Sequence, residues 1–256
     1  MAKQKVWLVT GVSSGFGREL MKAAAAAGNT AIGTVRRPDQ VKDVDAISPG
    51  FTRGAVLDVN DHAAGRALVD RLVKEHGGVD VLVNNAGYGL FGAVEEVGMA
   101  EARAQMETNF FGALAMTQAV LPSMRKRRSG HIVQISSQAG ISSTPGLGIY
   151  NASKFALEGF SEALSVEVAS LGIHVTLVEP GPFRTRWAGP SMHYATERID
   201  DYSPATDATR SRFADPSAWQ PGDPERAAKA IVNMTEVPAP PLRLPMGAMA
   251  VAVIRK

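Results

Sequence analysis

The 256-residue chain contains no cysteine. That absence removes disulfides, thiolate nucleophiles and thiolate metal sites, and fits a reducing compartment. Histidine is scarce, and His62, His76, His131, His174 and His193 show neither H-x-x-x-H nor H-E-x-x-H spacing, so no metal site is expected. No sign of charge is in excess, because 27 basic and 25 acidic residues leave a formal charge of +2, which supplies no field for a nucleic-acid binder. Long apolar runs are missing too. Met246 to Ile254, the longest weakly polar run, is too short to span a bilayer. The start, Met1 to Thr10, carries Lys3 and Lys5 but no sustained apolar stretch before Gly11, and does not read as a secretory signal. The expectation is a soluble, cytoplasmic protein with neither a nucleic-acid nor a membrane partner.

What is present is ordinary globular composition, 45% hydrophobic and 20% charged, in a length that suits one large domain. Short β-branched runs alternate with longer helical patterns through the first 180 residues, as βαβ units around a buried parallel sheet require. Val6 to Thr10, Thr30 to Val35, Ala55 to Val59, Val79 to Asn84, His131 to Ser136 and Ile173 to Glu179 predict six strands apolar on both faces, with Leu242 to Leu244 a weaker seventh. Helices are predicted over Phe16 to Ala27, ended by Gly28, over Asp61 to Glu75, ended by Gly77, and from Asp223-Pro224 to near Thr235. The expected fold is α/β, a Rossmann-type, doubly wound, mainly parallel seven-stranded sheet with helices on both faces, in a single domain. Ala23 to Ala27 reads as a helix lying close to the sheet. Arg125 to Arg128 reads as the basic end of a helix, with an anionic-partner patch as the alternative. Eleven of the 15 prolines lie at or after Pro180, and Trp187, Tyr194, Tyr202, Phe213 and Trp219 are scattered among them. Residues 183–222 are therefore expected to form an irregular lid on a 5–182 scaffold. Ile254-Arg255-Lys256 reads as an unfinished basic stretch, so the chain is expected to be truncated or partly ordered.

Thr10 to Gly17 directly follows the first strand and opens the first helix. In such a turn Gly11, Ser13, Ser14, Gly15, Phe16 and Gly17 can bring backbone N–H groups and a helix N-terminus to a pyrophosphate. The spacing is G-x-x-x-G-x-G rather than G-x-G-x-x-G, and a plain tight turn is the alternative. Tyr150 and Lys154 are four apart, which places them on one helix face. A free phenol titrates at about 10; an adjacent ammonium favours the phenolate, so Tyr150 could exchange a proton with a carbonyl or alcohol. A buried aromatic beside a surface lysine is the plainer reading.

With its T-G-x-x-x-G-x-G loop, Asn84-Asn85-Ala86-Gly87, Asn109 in Thr108-Asn109-Phe110, Ser137, Tyr150-x-x-x-Lys154 and Pro180-Gly181-Pro182, the sequence resembles the short-chain dehydrogenase/reductase family over about residues 5 to 190. Some features lean towards its steroid- and retinol-dehydrogenase-like members. The resemblance implies a catalytic set of Asn109, Ser137, Tyr150 and Lys154. It further implies that Lys154 holds the nicotinamide ribose and that Asn109 holds a water in a proton relay. Asn85, Ala86 and Gly87 would border the adenine and ribose region, Asp58 and Val59 would contact adenine, and Pro180, Gly181, Phe183 and Thr185 would border the nicotinamide. Ser136 stays open as the alternative to Ser137, and Asp58 may equally be read as the N-cap of the next helix.

An NAD site would carry an acidic residue at the end of the second strand. Here Arg36 and Arg37 precede Asp39, and Arg36 suits a 2′-phosphate through forked, charge-assisted bonds. NADP(H) is therefore preferred, with NAD(H) possible. Ser14 could add a hydroxyl to that phosphate, and Arg37 is either a second clamp or a solvated neighbour. The expected activity is hydride transfer between NADP(H) and a fairly apolar ketone or secondary alcohol lodged between residues 143–148 and 183–202. His193 is read as exposed or as touching that substrate. A cofactor-binding redox sensor without turnover, and an interaction protein on the same fold, are the alternatives. By resemblance the chain forms a homodimer or homotetramer.

Overall fold

The computed structural model describes residues 4–215 and 219–255. Met1, Lys3 and Lys256, and part of the expected lid at 216–218, lie outside the described residues. Parallel strands covered on both faces need apolar side chains pointing both ways. The chain supplies them in β1 (Val6–Val9), β2 (Thr30–Val35), β4 (Val81–Asn84), β6 (Gly130–Ile135) and β7 (Ile173–Pro180). With β3 (Thr52–Val56) and β9 (Arg243–Met246) at the edges, they form one seven-stranded sheet in the order β3-β2-β1-β4-β6-β7-β9. Every neighbouring pair is parallel.

On one face α3 (His62–His76), α5 (Gly112–Arg127) and α6 (Gly148–Ala169) bury Leu68, Leu72, Met116, Val120 and Leu164 against the sheet. On the other, α1 (Gly15–Ala26) and α8 (Pro224–Met234) bury Leu20, Met21, Ile231 and Val232. Ala24 and Ala25 are buried there, as the alanine run predicted. α3 is capped by Asp61 at its start and by Gly77 in the left-handed conformation at its end, and Asp223 caps α8 by accepting from Glu225 and Arg226 N–H. The basic run does end α5: Arg127 pairs with Asp80 at 2.5 Å and Arg128 donates to the Ser170 carbonyl. The strand order reverses between β1 and β4, and a crevice opens above their carboxyl ends.

Three expectations change. The third strand is Thr52–Val56, not Ala55 to Val59, because its ladder runs from Ala31↔Thr52 to Val35↔Val56 and stops where β2 stops. Leu57 and Val59 are buried beyond the ladder, which is what made the later stretch look like a strand. β3 is also an edge strand, with Arg53 and Val56 exposed rather than apolar on both faces. The lid region is partly regular: β8 (Met192–Tyr194) pairs in parallel with β5 (Gly89–Phe91), and α7 (Ser203–Ala214) follows. α4 (Met99–Met106) runs into α5 through a π-helical turn at Glu107–Phe111. No helix among the described residues is long and apolar enough to cross a membrane.

Candidate active site

A cleft of about 550 Å³ runs along the carboxyl ends of the strands. At one end lies the glycine loop. Gly11 has φ +70°, and a Cβ there would stand 2.9 Å from Ala86 Cα. A Cβ on Gly17 would stand 2.5 Å from the Gly11 carbonyl oxygen and 2.6 Å from Asn85 Nδ2, so only glycine lets α1 start this close to the loop. The loop is pinned from the side. Asn85 Nδ2 donates to the Thr10 and Gly11 carbonyls at 2.8 Å each, and the Thr10 hydroxyl accepts from Asn85 and Ala86 N–H at 3.0 Å. Asn84 works below, donating to Ala113 O, Thr117 Oγ1 and Gln134 Oε1, which ties α5 to the sheet. Ser14 precedes α1 without a side-chain cap and the first turn carries no acidic residue. The helix therefore presents its N–H groups and partial positive charge to the cleft.

Ser13, Ser14, Phe16, Arg36, Asp58, Val59 and Gly87 all line this end. Arg37 pairs with Asp39 at 3.3 Å, whereas Arg36 has no ion pair among the described residues. Arg37 is thus half of an exposed ion pair, while Arg36 lines the cleft. Asp58 is not the N-cap of α3, since its carboxylate accepts from Asn60 N–H and Asp61 does the capping, accepting from Ala64 N–H. Pro180 and Gly181 close the far wall, Phe183 stacks on Phe16 with ring centres 5.0 Å apart, and Thr185 lies against Gly15. These contacts fold the lid segment over the loop.

Midway, α6 presents Tyr150 and Lys154 one turn apart and buried. Lys154 Nζ donates to the Ile135 carbonyl at 2.9 Å and sits 5.9 Å from the centre of the Tyr150 ring. Burial pushes the Tyr150 phenol up to about 12, with hydrogen bonding to Ser137 pulling the other way. Burial lowers Lys154 to about 8, and Glu158 opposes that shift. The Tyr150 phenol is thus raised where lowering was expected, because desolvation of the phenolate is larger than the opposing hydrogen bond from Ser137. Ser137 Oγ accepts from Ala139 N–H at 3.1 Å, and its hydroxyl is the hydrogen-bond partner beside the Tyr150 phenol. Ser136 is buried and stands beside Glu158, and both serines line the cleft.

Asn109 lies in the π-helical turn. Its Oδ1 accepts from Tyr88 N–H at 3.1 Å, and its Nδ2 donates to the Tyr88 carbonyl at 3.0 Å and to Ser153 Oγ at 3.1 Å. Gly87 stands between it and Lys154: a Cβ there would be 3.0 Å from Asn109 Oδ1 and 3.9 Å from Lys154 Nζ. Two supporting residues inside the Tyr-to-Lys motif were assigned no role from sequence. Ser153 bonds the Tyr150 carbonyl, and Asn151 donates to the Ala139 and Ser142 carbonyls, holding the loop after Ser137.

The remaining end is aromatic. Trp187 packs on Tyr150 with ring centres 5.0 Å apart, and Phe213 and Trp219 extend the wall. Thr144 and Leu147 lie opposite, and His193, though exposed, lines the cleft and stacks on Tyr88. Phe213 and Trp219 lie within the 183–222 lid expected to bind substrate but beyond the 183–202 stretch expected to line the pocket. The lid is held by carboxylates. Buried Glu96 accepts from Ala93 N–H at 2.7 Å and Ile199 N–H at 2.9 Å, and Glu101 accepts from both N–H and hydroxyl of Thr196. Among the described residues no group of three or more His, Asp and Glu side chains could hold a metal ion.

The family model for short chain dehydrogenases matches residues 5–194. The chain is 37% identical to a 3-ketodihydrosphingosine reductase of Bacteroides thetaiotaomicron, over 98% of its own length and 91% of that protein's. It is 36% identical to human retinol dehydrogenase 8, over 94% of its length and 81% of that protein's. A short-chain dehydrogenase structure from Streptomyces avermitilis superposes with a TM-score of 0.92 at 42% identity, covering all of this chain and 92% of the other. Chains of the same fold have been solved with NADP and with NAD bound.

Proposed function

Since the chain belongs to the short-chain dehydrogenase family of oxidoreductases, we propose that it transfers hydride between NADP(H) and a ketone or secondary alcohol, with Tyr150 as general acid and base. The observation that carries this reading is the meeting of Ser137, Tyr150 and Lys154 at the middle of one cleft that starts at the glycine cradle and ends at an aromatic wall. The cradle fits a dinucleotide: a Cβ would fill it at Gly11 or Gly17, and the first N–H groups of α1 face it without a cap. Arg36 would meet the 2′-phosphate of NADP(H) through its unpaired guanidinium, and Ser14 offers a hydroxyl nearby. NAD(H) would forgo those contacts and bind more weakly.

When bound, the nicotinamide supplies or receives the hydride. Ser137, which bonds the Tyr150 phenol, would turn its hydroxyl to the substrate oxygen and hold it for Tyr150. Tyr150 hands the phenolic proton to that oxygen in reduction and takes it back in oxidation. A phenol pushed up to about 12 gives its proton up poorly at neutral pH. A positive charge placed against it is therefore part of the chemistry, and the Lys154 ammonium and an oxidised cofactor ring are the two sources. Lys154 also reaches the ribose hydroxyls. Asn109 holds the turn that faces Lys154 and positions a water for proton return.

Trp187, Phe213, Trp219 and Leu147 favour a substrate with an apolar body. Exposed Phe111, Phe155 and Val166, on the helical segments that carry Asn109 and Tyr150, support pairing of like chains into a dimer or tetramer. The test follows NADPH and NADH oxidation against a panel of apolar ketones, and NADP+ and NAD+ reduction against the matching alcohols. Turnover with at least one pair and a preference for the phosphorylated cofactor is expected. Binding of cofactor without consumption across the panel would sink the reading.

A further inference from the structure

Behind Lys154, on the side away from Tyr150, lies a charged cluster that the mechanism does not use. Glu158 on α6 and Glu179 on β7 are 4% and 0% exposed. Both face the Arg243 Nε from β9 at 3.4 Å, and Arg243 Nη2 is committed to Glu162 of α6 at 2.7 Å. None of the four carboxylate oxygens of Glu158 and Glu179 accepts a well-formed hydrogen bond among the described residues. Ser136, at the end of β6, is the neutral group beside Glu158, and Lys154 lies one helical turn before it. Three carboxylates thus face two cations, Arg243 and Lys154, and two of the three are shut off from water. Ionising both Glu158 and Glu179 would leave two buried carboxylates sharing one guanidinium nitrogen without well-formed hydrogen bonds, which is costly.

We propose that Glu158 and Glu179 are positioning residues that hold one proton between them and, through Glu158, set the charge of Lys154. In its reference to turnover this rests on the oxidoreductase reading above. The proton sits on Glu179, whose carboxyl is pushed up to about 7 by burial and by Glu158. Glu158 stays ionised beside Arg243 and Lys154, and its charge opposes the desolvation of the Lys154 ammonium, whose Nζ also donates to the Ile135 carbonyl.

The experiment reads Lys154 directly, by NMR of ε-¹³C-labelled lysine, with the signal assigned by its loss in Lys154→Met. Glu158→Gln is expected to move the Lys154 midpoint to lower pH by about one unit, as loss of a nearby opposite charge does, and Glu179→Gln is expected to move it less in the same direction. Glu158→Asp keeps it near wild type. In parallel, infrared spectroscopy of the wild type should show a protonated carboxyl that titrates near neutrality and is absent in Glu179→Gln. An unmoved Lys154 midpoint in folded Glu158→Gln, or the lack of that carboxyl signal, overturns the proposal. If Glu158→Gln does not fold, the Glu179→Gln midpoint decides it. The alkaline limb of turnover should follow the Lys154 midpoint in each variant. Both spectroscopic signatures in a chain that turns over no substrate would remove the oxidoreductase reading and leave the pair standing.

Discussion

Asn109 donates to the Ser153 hydroxyl at 3.1 Å, and Ser153 in turn donates to the Tyr150 carbonyl. The asparagine therefore braces the helix that carries Tyr150 and Lys154 as well as facing the site. Asn109→Ala strips partners from Tyr88 N–H and Ser153 in a buried place, at a cost of about 1–3 kcal/mol. Turnover and melting temperature should fall together. An unchanged melting curve would confine the residue to the chemistry.

Tyr150→Phe keeps the ring that packs on Trp187 and removes only the exchangeable proton. Turnover should drop by about 100-fold or more, the usual worth of a general acid, while NADPH affinity measured by its fluorescence stays within about twofold. Appreciable residual turnover would move the proton transfer to another group.

Arg36 and Arg37 are neighbours with different fates, because only Arg37 has an ion-pair partner, Asp39. Arg36→Ala should weaken NADPH by about 10-fold or more, the worth of a charge-assisted bond, and leave NADH nearly unchanged. Arg37→Ala should alter neither. Equal losses from the two substitutions would show that a general positive field, not a specific clamp, selects the cofactor.

Glu96 joins the 93–97 turn to the lid through Ala93 and Ile199 N–H. Glu96→Ala leaves both donors without a carboxylate, so limited proteolysis should cut within 195–215 faster than in the wild type. KM for the carbonyl substrate should rise more than kcat falls. A proteolysis pattern identical to wild type would show that other contacts hold the lid.

His131 is buried between strands, and its Nε2 lies 3.0 Å from Thr176 Oγ1, whose hydroxyl proton goes to the Pro241 carbonyl. The ring is thus a neutral donor at Nε2. Burial lowers it to about 3, with the nearby His174 and Lys5 charges adding to the effect. The folded state binds fewer protons than the unfolded chain between about 6.5 and about 3, so stability present above the upper value is lost as pH falls through this window. The loss is of the order of a few kcal/mol by linkage, and His131→Gln should flatten the slope in urea unfolding titrations. An unaltered slope would place the acid sensitivity elsewhere.

What the sequence made legible was local. The glycine cradle, the Tyr150–Lys154 pair and the caps at Gly77 and Asp223 each depend on residues a few positions apart, where backbone geometry alone fixes the relationship. The third strand was displaced because burial of Leu57 and Val59 continues past the ladder, and apolar periodicity reports burial, not hydrogen bonding. Asp58 and Asp61 are equally good caps on paper, and only the turn at Asn60 separates them. The lid clamps and the Glu158–Glu179–Arg243 cluster were invisible, since their partners lie far apart in the chain; Arg243 meets the two glutamates only when β7 and β9 pair. Phe213 was likewise brought to the cleft by α7, which has weak helical patterning of its own, and Trp219 follows it by donating to the Arg212 carbonyl.

The π-helical turn at Glu107–Phe111 gives one turn of the α4–α5 helix a wider circumference than its neighbours. Such a turn takes up about one residue more than a regular helical turn while the segments on either side keep nearly their ordinary phase. Gln105, before the turn, donates to the Tyr88 carbonyl at 2.9 Å, and Asn109, inside it, bonds Tyr88 and Ser153. Deleting one residue here would let a regular helix form with Gln105 still near Tyr88, and the loss would fall on the bulged segment that carries Asn109. The brace on the catalytic helix is thus carried by an insertion that the rest of the helix does not need in order to fold.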